Sequence, residues 1–256
     1  MNIIVCKDSV QLGEEAAKLV AAEVKECIAK KGSARIVFST GASQFDTFKA
    51  LLKSDIDWSK VDMFHLDEYV DLPETHIASF RKYLKERFTN LVNLHSVNFV
   101  DGTPEGIANI SAALTAAPID IGLIGIGENS HIAFNDPPAK FDIEDPYIVV
   151  NLNDTCKNQQ VGEGWFATID DVPKQAVSMS VKQILKCNKI ISCVPSKVKA
   201  NAIKLTVEND TNNMYPATIM KTHKDFTLLC DKDSASLISK EVAEKCCPTL
   251  ESYVEL

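Results

Sequence analysis

Short apolar runs alternate with stretches whose apolar residues recur at helical spacing along almost the whole chain. Residues 2–6 read as a first strand, and 12–31 as a helix with Ala, Leu and Val on one stripe. A strand over 35–39 is followed by a small-residue turn and a helix to about residue 52. Strands are expected over 61–66, 97–100 and 119–126, with helices over 79–88 and 105–116. Further strands fall at 147–152, 176–180, 189–194 and 226–229, and a helix at 197–208. Repeated strand–helix alternation predicts an α/β fold, a mostly parallel sheet covered by helices on both faces.

No internal repeat, low-complexity tract or Pro/Gly-rich linker interrupts this pattern, so residues 1–256 read as one α/β domain. The least regular stretch is 137–171. Loops of that length inside an α/β domain serve as lids or specificity elements, and that is the role expected of it.

Composition narrows the picture. The formal charge of −8 and the lack of any basic block argue against a nucleic-acid partner. A phosphorylated small molecule stays compatible, because one or two cations and backbone amides suffice to hold a phosphate. The N-terminus lacks the pattern of a signal peptide, and no apolar run reaches the roughly 20 residues of a membrane span. The eight cysteines are scattered, without CxxC or zinc-finger spacing. They read as reduced, mostly buried thiols of a cytoplasmic protein.

Four strand ends carry chemistry. After the second strand, the small residues of FSTGAS at 38–43 let backbone N–H groups approach an anion, with Ser39, Thr40 and Ser43 as hydroxyl donors. A tight turn with Ser43 as helix cap explains the same residues. After the third strand, Asp67 and Glu68 form an adjacent carboxylate pair. One of them turned into a crevice could act as a general base, and a solvated pair is the other reading. The run IDIGLIGIGENSHIAFNDPP at 119–138 ends an apolar strand in His131, with Asn129 or Asp136 available to orient the imidazole. After the 189–194 strand, Lys197 and Lys199 enter a helix, where lysine opposes the helix dipole unless an anion binds there. All four fall at carboxyl ends of strands, on one edge of a parallel sheet, and suit proton transfer on a small phosphorylated molecule.

At these residues the chain resembles the glucosamine-6-phosphate deaminase/isomerase family, part of a larger group that includes 6-phosphogluconolactonases. The resemblance rests on STGAS at 39–43, LDEYVDLP at 66–73, GIGENSHIAFNDP at 125–137 and the Lys199 helix running to Glu208, in family order. It implies a Rossmann-like three-layer sandwich and a reaction without cofactor or metal. In such enzymes a histidine opens the pyranose ring, an aspartate moves a proton from C2 to C1, and water releases ammonia. Carried over, Asp67 is the carbon base, His131 the ring-opening acid/base, and Asp136 and Asn129 its neighbours in the catalytic group. Thr40, Gly41, Ala42, Ser43 and Lys199 hold the phosphate of an amino-sugar 6-phosphate. Related enzymes range from monomers to hexamers, so a homo-oligomer stays open.

Three departures from the family pattern stand out. The family's GNDGH is GENSH here, so Asn129 replaces an aspartate; Asp136 replaces a glutamate; and residues 158–166 lack an arginine that helps hold phosphate. The residues of the regulated members' allosteric sugar site are not recognisable after Pro138, and no such activation is expected. Two alternatives accompany the deaminase reading: a 6-phosphogluconolactonase-like hydrolase, disfavoured by DEY and HIAFN, and a sugar-phosphate-binding regulator without chemistry.

Overall fold

Asp8 opens the first helix by accepting a hydrogen bond from the Gln11 N–H at 2.8 Å. Helix α1 (Ser9–Lys31) then buries Leu12, Ala16, Val20, Val24 and Cys27, which recur at helical spacing along one stripe. The computed structural model describes residues 1–246. Strand β1 (Asn2–Cys6) precedes α1, and β2 (Ala34–Phe38) follows it with all five residues buried. Alternation along β2 explains that burial: Ile36 and Phe38 enter one core and Val37 the opposite one.

After β2 come helix α2 (Phe45–Leu51), strands β3 (Val61–His65) and β4 (Asp67–Tyr69), and helix α3 (Phe80–Leu84), which continues into a π turn over Lys85–Thr89. Strand β5 (Ser96–Asn98), helix α4 (Pro104–Thr115) and strand β6 (Ile121–Leu123) lead to the irregular middle of the chain. Beyond it lie β7 (Tyr147–Asn151), α5 (Asp154–Gly162), β8 (Gln175–Met179), α6 (Val181–Leu185), β9 (Lys189–Val194), α7 (Ala200–Glu208) and β10 (Phe226–Asp231).

Seven of these strands form one sheet in the order β1-β10-β9-β6-β2-β3-β5, every pair parallel. Leu12, Phe48 and Phe88 cover one face; Ile110, Leu114, Ile203 and Val207 cover the other. This is the expected α/β sandwich, with one correction. β7 and β8 do not extend the parallel sheet. They pair antiparallel with each other and with β4 in a separate three-stranded sheet, β4-β8-β7. A parallel partner needs a crossover on the sheet face, whereas β7 and β8 run back on each other beside the short strand that leaves β3.

Strand order reverses between β2 and β6. From β2 the chain moves outward to β3 and β5, then returns to β6 and proceeds the other way to β9 and β10. A crevice outside the carboxyl ends of the strands is expected at that switch point. The predicted 119–126 strand shrinks to Ile121–Leu123 for the same reason, since the residues after Leu123 turn away to line the crevice.

Among the described residues six cysteines are buried and none is in a disulfide, as expected; Cys246 and Cys247 lie outside the described side chains. Among the described residues no helix is long and apolar enough to cross a membrane.

Candidate active site

A cleft of about 1240 Å³ opens at the switch point. Its walls include Ser39–Ser43 from the end of β2, Asp67 after β3, Gly125–Asn129 and His131 after β6, and Ser196 and Lys199 after β9. The four strand ends singled out in the sequence therefore meet in one cavity.

The floor is the loop after β2. Gly41 adopts φ 105°, a conformation that favours glycine, and its carbonyl accepts from the Gln44 N–H at 3.0 Å and from the Tyr83 hydroxyl at 2.8 Å. Ser43 is not a helix cap: the short 3-10 turn Ala42–Gln44 that leads into α2 has no side-chain cap. Its hydroxyl instead accepts from Gln44 Nε2 at 3.2 Å, and the same amide donates to the Cys193 carbonyl of β9 at 3.0 Å, tying two strand ends together. The buried Ser39 hydroxyl has no hydrogen-bond partner among the described residues.

Lys199 enters the same space from a 3-10 turn, Lys197–Lys199, that leads into α7. It is only 8% exposed, and its ammonium finds no protein acceptor among the described residues. Burial holds the ammonium below the ordinary lysine range, with Glu163 and Glu128 opposing the effect. The preceding turn is fixed by Asp231, whose carboxylate accepts from the Ser196 N–H at 2.9 and 3.1 Å.

On the facing wall, Asp67 begins β4 opposite Ser178 of β8. Its carboxyl is buried, receives no protein hydrogen bond among the described residues, and is pushed up to about 8, by burial first and by Glu68 second. Glu68 does not face the cleft; it is fully buried behind it. Neither carboxyl is the solvated group of the alternative reading.

His131 Nδ1 lies 2.6 Å from Asn129 Oδ1 and 3.3 Å from Asp136 Oδ1. Asn129 Nδ2 donates to Asp136 Oδ1 at 3.1 Å, so its carbonyl oxygen is the end that meets the imidazole. That oxygen can only accept, which assigns the hydrogen to Nδ1 and leaves Nε2 with a free lone pair. Burial pushes the Asp136 carboxyl up, but His131, Asn129 and the Cys156 thiol outweigh it and hold it below the ordinary carboxylate range. The charge absent from Asn129 is thus present one residue further out, on Asp136.

A family model for glucosamine-6-phosphate isomerases/6-phosphogluconolactonase matches residues 7–229. The chain belongs to this family. A glucosamine-6-phosphate deaminase of Thermoanaerobacter sp. (strain X514) is 32% identical over 254 residues, spanning 94% of this chain and 96% of its own length. One from Clostridioides difficile (strain 630) is 32% identical over 250 residues, spanning 93% of this chain and 97% of its own. Among solved structures, a monomeric glucosamine-6-phosphate deaminase superposes with a TM-score of 0.84 at 27% identity, over 93% of this chain and all of that one. A 6-phosphogluconolactonase from Thermotoga maritima shares the fold, with a TM-score of 0.73 at 13% identity over 90% of this chain and 98% of that one.

Within the family frame, several cleft residues escaped the sequence reading. Gly127 lies against the His131 ring, and a Cβ built there would overlap it, so only glycine fits. Its place two residues after Gly125 was the available signal. Gln44, Tyr83 and Asp231 carried none, because each acts through a partner distant in sequence. The segment from the irregular middle also contributes: Thr155, Asn158, Gln159, Glu163 and Trp165 line the cleft.

Proposed function

We propose that this chain converts an amino-sugar 6-phosphate, glucosamine 6-phosphate in the simplest case, and water into fructose 6-phosphate and ammonia. The observation that carries the reading is the meeting, in one cleft, of a buried carboxyl without a donor, an oriented imidazole and a buried lysine without an acceptor, both absences being among the described residues. A lysine left that way calls for an anion from outside the protein. The substrate phosphate supplies it, with the backbone and hydroxyls of Thr40, Gly41, Ala42 and Ser43 as further donors.

With the phosphate seated, His131 Nε2 moves a proton at the ring oxygen and opens the pyranose, while Nδ1 stays bound to Asn129. Asp67 in its ionised form takes the proton from C2, giving an enolamine, and returns it to C1. Water adds to the resulting C2 iminium and ammonia leaves. Asp136 and Asn129 hold the imidazole and stabilise its charged form. Every step is proton transfer or hydration, for which these side chains suffice.

Residues 137–171 belong to the same proposal as the specificity element and lid over a single domain. A cytoplasmic setting fits the six buried thiols, none of them in a disulfide among the described residues. Lactone hydrolysis and binding without turnover are disfavoured, because neither requires a carbon base such as Asp67. Ammonia release measured over glucosamine and galactosamine 6-phosphates, with Asp67→Asn and His131→Gln as controls, tests the reading. Absence of ammonia from every hexosamine 6-phosphate would overturn it, and turnover of 6-phosphogluconolactone in a coupled assay would replace it.

A further inference from the structure

Glu68 is among the buried ionisable groups that proton transfer as described leaves without a task. Glu68 follows Asp67 on β4, and strand alternation sends its side chain to the other face. There it accepts five hydrogen bonds. Oε1 accepts from the Tyr69 N–H at 2.9 Å and the Phe80 N–H at 3.2 Å. Oε2 accepts from the Ser79 hydroxyl at 3.0 Å, the Arg81 N–H at 2.8 Å and Arg81 Nε at 3.3 Å. The backbone N–H groups and the guanidinium can only donate, so a proton on Glu68 would displace one of them. Asp67 has the opposite surroundings: it is buried, and no protein donor reaches it among the described residues.

Two neighbouring buried carboxyls titrate as a pair, and the distribution of donors decides which of them carries the proton. We propose that Glu68 is a positioning residue for this reaction: a carboxylate held by five donors that gives up its proton before Asp67 and, set beside it, keeps the proton of the pair on Asp67. The proposal rests on the function given above, in which Asp67 is the carbon base. It gives Glu68 an electrostatic task in addition to its anchoring of α3.

Burial pushes the Glu68 carboxyl up from its ordinary range, and its bonds from Arg81, Tyr69, Phe80 and Ser79 oppose that effect, whereas no donor opposes it at Asp67 among the described residues. The other groups around the pair leave this order intact. Tyr69 and Tyr147 are held neutral by burial, as is the Cys156 thiol, raised by burial and then by Asp136. His65 is pushed down to about 3 by burial and then by Arg81, so it carries no charge at neutral pH. Arg81 is the adjacent cation, 3.3 Å from Glu68 and donating through Nη2 to the Leu72 carbonyl at 3.0 Å. The remaining titratable groups, Lys199, His131, Asp136, Glu128 and Glu163, belong to other walls and rims of the cleft. Glu68 raises the proton affinity of Asp67, and Arg81 moderates the effect.

Titration of the protein labelled with 13Cγ-aspartate, followed by NMR, tests this. The Asp67 signal is identified by its loss in Asp67→Asn, and the pH profile of kcat/KM is recorded alongside. The expected wild-type midpoint is about 8. Glu68→Gln lowers it by at least about one pH unit, a tenfold loss of proton affinity, and the acid limb of kcat/KM moves with it. Arg81→Gln moves both the other way, and Arg81→Lys restores them. Where Glu68→Gln fails to fold, the Arg81 pair decides. Midpoints within about 0.3 pH unit of wild type in the charge-removing variants, or shifts of the same sign, would overturn the proposal. The NMR midpoint does not depend on turnover, so a failure of the deaminase reading is distinguishable from a failure of this one.

Discussion

Replacing Lys199 by methionine should make the protein more stable and worse at its task. The ammonium is buried without an acceptor among the described residues, and burial holds it below the ordinary lysine range. A methionine fills similar space without a charge to desolvate. Exchanging a buried charge for packed apolar groups gains about 1–2 kcal/mol at the lower end of measured cases. For a domain of this size that raises Tm by about 2–8 °C. Phosphate binding moves the opposite way, because a hydrogen bond to a charged group contributes about 1.5–3 kcal/mol. KM for the phosphorylated sugar should therefore rise roughly 10- to 150-fold, with no comparable change for unphosphorylated glucosamine. Thermal melts with and without inorganic phosphate read both effects. Wild type melts lower in its absence and gains stability as phosphate is added, by about 2.7 kcal/mol at a hundredfold excess over its Kd, whereas Lys199→Met gains only about 0.3–1.4 kcal/mol at the same concentration. The pH dependence has a fixed sign. A lysine with a lowered folded-state pKa binds more protons unfolded than folded, so wild-type stability climbs as pH rises toward 10.5, and the variant lacks that climb. A variant that melts lower than wild type, or one that keeps the full wild-type response to phosphate, would refute the reasoning.

Asp67→Asn should lower kcat by about 10²–10⁴-fold at similar KM, measured by ammonia release. It should also flatten the pH dependence of stability. The folded-state carboxyl titrates at about 8 against an ordinary 3.8, so its contribution is present below pH 4 and lost as pH rises through 8. For the same reason wild-type kcat/KM should climb with pH to an acid limb near 8, as the base becomes ionised. Gly127→Ala should displace the His131 ring and cost on the order of 10²-fold in kcat, with the phosphate response of the melt intact. Asn129→Leu removes the acceptor for His131 Nδ1 and a donor to Asp136. It should lower stability by about 1–3 kcal/mol in denaturant titrations and reduce kcat more than it changes KM.

The parallel sheet was legible because its strands are continuous apolar runs bounded by turns and separated by amphipathic helices. The cleft was legible because polar groups end four of those runs. What the one-dimensional pattern lacked was pairing. Nothing in YIVVN or QAVSM distinguishes a strand of the main sheet from one that pairs with the three residues after β3. Asp67 and Glu68 are adjacent letters, and only the donors brought by Ser79, Phe80 and Arg81 separate their environments. Asn129 read as the loss of a charge. Its amide proves to be a relay, touching the imidazole with one end and Asp136 with the other.

The small antiparallel sheet has an evolutionary consequence. β7 and β8 bracket α5, and the two ends of that excursion are fastened together: the Leu152 N–H donates to the Lys174 carbonyl at 2.9 Å, and the Gln175 amide donates to Asn151 at 2.9 Å. Everything between is a cassette with a closed neck, supplying one wall of the cleft while leaving the seven-stranded sheet untouched. Apart from residues that reach back to the site, such as Cys156 beside Asp136 and Gln160 and Phe166 against Tyr69, its length can change at little cost to the main sheet, since a longer loop on a fixed neck costs only a slowly growing closure entropy. An insert fastened this way can change the wall it gives to the cleft while the seven strand registers of the main sheet stay as they are.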